Sequence, residues 1–85
     1  MSRFRKLYGK FLDGRPLTFA ELQTIAVAFG FVLDRISGSH HIYQRDGVPE
    51  RFTIQKCKGK DAMLYQVKKL RVMIATYGLT LDGSE

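Results

Sequence analysis

The residues best able to do chemistry in this chain stand together at Gly38-Ser39-His40-His41. Histidine moves a proton near neutral pH more readily than any other side chain. Breaking an RNA phosphodiester requires removal of the 2′-hydroxyl proton and delivery of a proton to the leaving 5′-oxygen, with positive charge near the phosphorane. One histidine beside lysines meets much of that demand without a metal ion. A lysine-rich run follows at Lys56, Lys58 and Lys60. The residues alone leave a second reading open, in which the pair is one surface and one half-buried strand residue. Neighbouring strand residues point to opposite faces, so His40 and His41 are not expected to share one job.

Other chemistries are weakly represented. No Ser, His and Asp spacing is informative, no glycine-rich phosphate loop stands between a strand and a helix, and the eight carboxylates are dispersed. Metal-dependent nuclease chemistry is therefore not expected. The single cysteine, Cys57, excludes an internal disulfide, and one Cys with two His falls short of a four-ligand zinc pattern. Cys57 reads as a spare cysteine at a strand end. We expect no metal and no cofactor, and a reducing, cytoplasmic setting.

The elements that must hold His40 follow from periodicity and end signals. Phe4, Leu7, Tyr8 and Phe11 recur at helical spacing between a cap at Ser2 and a stop at Gly14 and Pro16. That stripe is read as core. Thr18 and Glu21 form a T-x-x-E capping box for a second helix, with Phe19, Leu22, Ile25, Ala26 and Phe29 as its buried stripe and Gly30 as its left-handed terminator. Alternation then predicts a strand with Phe31, Leu33 and Arg35 on one face and Val32, Asp34 and Ile36 on the other. Ser37 and Gly38 supply a turn to a second strand through His41 to Gln44. Asp46 and Gly47 turn it into a third through Arg51 to Gln55, giving an antiparallel meander. After the lysine-rich loop, Asp61 is the predicted N-cap of a last helix ending near Tyr77 before Gly78. Leu64, Val67, Leu70, Ile74 and Tyr77 form its inner face, with Lys68, Lys69 and Arg71 outward. The predicted fold is α+β in the order α-α-β-β-β-α, with a three-stranded antiparallel sheet packed on helices.

Eighty-five residues leave room for one domain, and a chain this short must commit most of its 45% apolar residues to a core. A large two-lobed enzyme is excluded. Fourteen Lys and Arg against eight Asp and Glu give +6, which favours a polyanionic partner. The excess sits at both ends: five basic residues against Asp13 in residues 1–15, and seven against three acids in residues 51–85. Lys10 and Asp13 interrupt any signal-peptide core, and the apolar run Ile25 to Leu33 is too short to span a bilayer. Neither secretion nor membrane insertion is expected.

The sequence resembles the HicA family of bacterial toxins, ribosome-independent mRNA interferases paired with HicB antitoxins. The resemblance begins at Leu17-Thr18-Phe19-Ala20-Glu21-Leu22 and continues through Phe29-Gly30-Phe31. It centres on Ile36-Ser37-Gly38-Ser39-His40-His41-Ile42-Tyr43, and extends over Tyr65-Gln66-Val67-Lys68-Lys69-Leu70-Arg71 and Tyr77-Gly78-Leu79. It implies a fold similar to a double-stranded-RNA-binding domain. It also implies that His40, directly after Gly38-Ser39, is the catalytic histidine, whereas His41 keeps the structural reading. The chain departs from the family pattern at Gln55-Lys56-Cys57 and at Ala62-Met63-Leu64. The expected organisation is a single domain over residues 1–85, with a helical extension over 1–16, a HicA-like core over 17–79 and a tail over 80–85 that frays from Asp82 to Glu85.

The leading expectation is a toxin-type, metal-independent endoribonuclease acting on mRNA and neutralised by a HicB-like antitoxin. His40 serves as general base or acid, with Gly38 and Ser39 supporting or orienting it. Lys56, Lys58, Lys60, Lys68, Lys69 and Arg71 are expected to hold the RNA backbone. A non-catalytic RNA-binding module on the same scaffold is the alternative, and a basic protein-interaction module is a third reading.

Overall fold

The computed structural model describes residues 3–81. The elements are α1 (Arg3–Leu12), α2 (Phe19–Ala28), β1 (Val32–Ser37), β2 (His40–Gln44), β3 (Phe52–Gln55) and α3 (Leu64–Tyr77), the expected α+β order. The expected cap at Ser2 and the expected fraying of Asp82 to Glu85 lie outside the described residues. No helix among the described residues is long and apolar enough to cross a membrane.

The strands form one antiparallel sheet in the order β1-β2-β3, so β2, which begins at His40, is central. The core lies between one face of this sheet and the helices. Leu22, Ile25 and Ala26 of α2, Phe52 and Ile54 of β3, and Val67, Leu70 and Met73 of α3 are buried there. Each large side chain so removed from water contributes roughly 1.5–3 kcal/mol. The aromatic stripe of α1 joins this core, as expected: Phe11 is buried, and Tyr8 packs at a tilt against Phe29 with centroids 5.9 Å apart. Leu79 and Leu81 also pack against it, so the chain remains attached for several residues beyond α3.

The start of α2 has the expected capping box. Glu21 N–H donates to Thr18 Oγ1 at 3.1 Å, and Thr18 N–H donates to Glu21 Oε1 at 2.9 Å. Gly30 follows the helix at φ +92°, in the left-handed region that a side chain rarely adopts. Gly78 closes α3 in the same region.

Several expectations differ from the structure. The N-cap of α3 is Met63, not Asp61. Asp61 instead bridges to Thr18, while Ala62 N–H donates to Leu17 C=O at 2.9 Å, so this segment is stitched to the entrance of α2 before α3 can begin. Leu64, expected inside, is exposed, and Met73 fills the core from the same helix. Finally, the alternation along β1 slips. Leu33 pairs with Tyr43, but Arg35 pairs with Ile42 and Ile36 with His41, leaving Asp34 as the extra residue of a bulge. Opposed residues share a face, so Leu33 and Ile36 lie on the same side, which the simple period of two had separated.

Candidate active site and nucleic-acid interface

His40 is the first residue of the central strand and is exposed. A two-residue turn delivers it. Ser37 pairs with His40 across Gly38 and Ser39, and Gly38 has φ +60° while Ser39 does not enter the positive region. Glycine at the first central position is the pattern of a type II′ hairpin turn, whose twist matches the strands it joins. Gly38 therefore fixes the entry of His40 by backbone geometry. On its other side His40 pairs with Gln55 of β3. The imidazole thus stands on a paired strand end, displayed on the sheet face opposite the helices.

His41 faces the other way. Its ring meets Phe19 edge-on, with centroids 4.9 Å apart and planes at 75°. Its Nδ1 is buried and has no hydrogen-bond partner. The two histidines are separated by the pleat, one presented to solvent and one packed beneath α2, as the alternation of strand side chains requires.

The turn also positions the lysine-rich loop. Lys56 N–H donates to Ser39 C=O at 2.8 Å, extending the β2-β3 pairing by one step and setting the loop's first residue beside the Gly-Ser-His turn. At its far end, Lys60 C=O accepts from Phe19 N–H at 2.7 Å. Lys56, Lys58 and Lys60 are all exposed, and the loop is held at both ends. Thr18, Phe19, Ala20, Lys56, Gly59 and Lys60 line a shallow cavity of about 250 Å³ there. Cys57 is half-buried, its Sγ 3.8 Å from Gln55 C=O.

The basic residues of α3 are placed differently from one another. Lys69 Nζ donates to Glu50 Oε1 at 3.0 Å. Glu50 also accepts from Tyr77 O–H at 2.7 Å. The Tyr77 hydroxyl, and then Lys69, hold the Glu50 carboxyl below its ordinary range, and Glu50 in turn raises the Tyr77 phenol. Arg71 is not turned outward. Its Nη1 donates to Phe11 C=O at 2.8 Å and its guanidinium lies 5.5 Å over the Phe11 ring, so it ties α3 to α1. Lys68 is exposed on the side of α3 away from buried Val67 and Leu70. Thus the hairpin ties the Lys56 backbone to Ser39, the residue before His40, whereas Lys69 and Arg71 are held by partners within the fold.

Sequence reasoning missed Gln66. It is 3% exposed in the core-facing stripe of α3, and its Oε1 accepts from Gln55 N–H at 3.0 Å. This bond satisfies an outward-facing amide of β3, that of the residue paired with His40. A polar amide among apolar positions of the last helix was the available signal.

The family model described as HicA toxin of bacterial toxin-antitoxin matches residues 19–76, well over half of the 85-residue chain. No curated relative and no solved structure matches it. The matched span runs from the first residue of α2 almost to the end of α3 and includes the whole hairpin that carries His40. The chain belongs to the HicA family of toxins from bacterial toxin-antitoxin systems.

Proposed function

We propose that this HicA-family chain is a metal-independent endoribonuclease that cleaves mRNA without the ribosome and uses His40 as its proton-transfer group. The observation that carries the reading is the backbone bond from Lys56 to Ser39, which fixes a cationic loop beside an exposed histidine on a rigid strand end. In the proposed reaction the His40 imidazole accepts the proton of a ribose 2′-hydroxyl. The 2′-oxygen forms a bond to phosphorus, and the bond from phosphorus to the 5′-oxygen breaks. The proton then passes to the leaving 5′-oxygen, so charge and atoms balance without an added nucleophile. Lys56, Lys58 and Lys60 hold the phosphate chain and oppose the charge that accumulates on its oxygens. Gly38 and Ser39 set the position of the imidazole. A HicB-like antitoxin neutralises the activity by covering the same exposed face, and the protein acts in the cytoplasm.

The test is cleavage of a defined single-stranded RNA in EDTA by wild type and His40→Ala. Removing a general acid or base lowers rates by about 10²- to 10⁴-fold, and a loss in that range is expected with the fold retained. Cleavage at the wild-type rate by His40→Ala overturns the assignment of His40. RNA binding with no cleavage by either protein makes the chain a binding module instead.

A further inference from the structure

The free edge of β3 carries a second polar constellation, separate from His40 and its lysines. His41 and Ile54 are opposed, as are Tyr43 and Phe52, and the Lys56-to-Ser39 bond continues the same alternation of bonded pairs. In an antiparallel ladder the residues between bonded pairs turn their N–H and C=O groups outward. Gln55 and Thr53 are those residues. The Gln55 N–H is already taken by the Gln66 side chain. Thr53 is left as a one-residue stretch of open strand edge, offering one donor and one acceptor side by side.

A cavity of about 250 Å³ opens on this edge, lined by Thr53, Tyr65, Gln66, Glu50, Arg51 and Lys69. Tyr65 is 63% exposed although it is among the largest apolar rings of α3, so its face is available rather than packed. Drug-sized ligands occupy pockets of about 300–1,000 Å³, and this smaller cavity suits a single ring system. Its charges nearly cancel. Glu50 is held as a carboxylate by Tyr77 and Lys69, and Arg51 lies 3.4 Å from Asp34. An anion such as a phosphate would meet Glu50 at once. A flat, neutral group with a donor and an acceptor on one edge meets the Thr53 backbone instead. Strand addition by a peptide would need the next outward amide along β3, and Gln66 blocks it.

We propose that this cavity is a nucleobase pocket, in which one base of a single-stranded RNA stacks on Tyr65 and hydrogen-bonds the Thr53 backbone. The proposal rests on the ribonuclease reading above and adds a base-binding position to it. Thr53 is two residues from Gln55, the partner of His40, and so lies about 7 Å along the strand from the proton-transfer position. That separation is one nucleotide step along an extended strand, which would make the pocketed base a near neighbour of the cut.

The test measures binding of a short synthetic RNA to His40→Ala protein, so that the RNA stays intact, with and without Tyr65→Ala. It is repeated on RNAs in which each nucleotide in turn is made abasic. Base stacking on an aromatic side chain corresponds to roughly 5- to 150-fold in affinity. Tyr65→Ala is expected to weaken the intact RNA within that range and to leave one abasic RNA unaffected. Tyr65→Phe, which keeps the ring, is expected to bind as the parent does. Equal loss on every abasic RNA, or no loss on intact RNA, overturns the base pocket while the ribonuclease reading stands. If His40→Ala and wild-type protein bind no RNA and wild type cuts none, the ribonuclease reading fails first. Tyr65 is exposed, and matched thermal unfolding of the variants guards against a folding artefact.

Discussion

At Gly30, two constraints coincide on a residue that has no side chain. Its φ of +92° lies where a Cβ is strained, and a Cβ built there would stand 2.9 Å from Arg45 Nε. That Nε donates to Phe29 C=O at 2.7 Å, closing the end of α2. Gly30→Ala is therefore expected to destabilise the protein by about 1–3 kcal/mol, from left-handed strain and a displaced hydrogen bond. Chemical denaturation checks this, and in an Arg45→Ala background the same substitution is expected to cost less because the collision is gone. The need for glycine after α2 was legible from its place at the end of an apolar helical stripe. Its close approach to Arg45 was not, because that contact joins residues fifteen apart through the return of β2. The same distinction separates His40, the proposed proton-transfer residue marked by its neighbours Gly38 and Ser39, from Tyr65, whose proposed role depends on a strand edge brought beside it by the fold.

Among the elements, those with chemical end signals were read from sequence, and those whose ends are set by tertiary pairing were not. Thr18 and Glu21 announced α2 because both halves of the capping box lie within four residues. Asp61 looked like a cap but bridges to Thr18, and the bulge at Asp34 moved Ile36 to the face of Leu33. Neither long-range pairing leaves a local mark. The Glu21 carboxylate links two helices, since Lys10 of α1 donates to it at 3.2 Å while it caps Thr18. The Thr18 backbone amide, chiefly, and Lys10 hold its carboxyl below the ordinary value of 4.5, against an opposing desolvation. A carboxyl lowered on folding adds stability above that value and loses it as pH falls through the lowered one. Glu21→Gln keeps an acceptor for the cap but cannot titrate. The stability gap between wild type and Glu21→Gln is expected to be widest near neutral pH and to narrow on acidification through the carboxylate range, as read by denaturation at a series of pH values.

For the whole molecule, the net charge of +6 overstates one kind of surface and hides another. Lys10, Arg51 and Lys69 each sit within 3.4 Å of a carboxylate, and Arg71 is spent on the Phe11 carbonyl. Lys56, Lys58 and Lys60 are exposed on a loop fixed beside His40, and no carboxylate pairs with them among the described residues. If RNA runs over that loop, these three cations displace counterions and the residues bound within the fold do not. For single strands each neutralised phosphate contributes about 0.7 to the slope of log affinity against log salt. Replacing Lys56, Lys58 and Lys60 together by Gln is expected to flatten the slope by about 2, with folding stability near that of wild type. Arg71→Ala is expected to do the reverse, leaving the slope unchanged and lowering the unfolding midpoint by releasing α1 from α3. RNA binding by fluorescence anisotropy across a salt series, beside thermal unfolding of the same proteins, separates the two. A slope that falls with Arg71→Ala and not with the loop variant would put the RNA on the face shared by α1 and α3, away from His40.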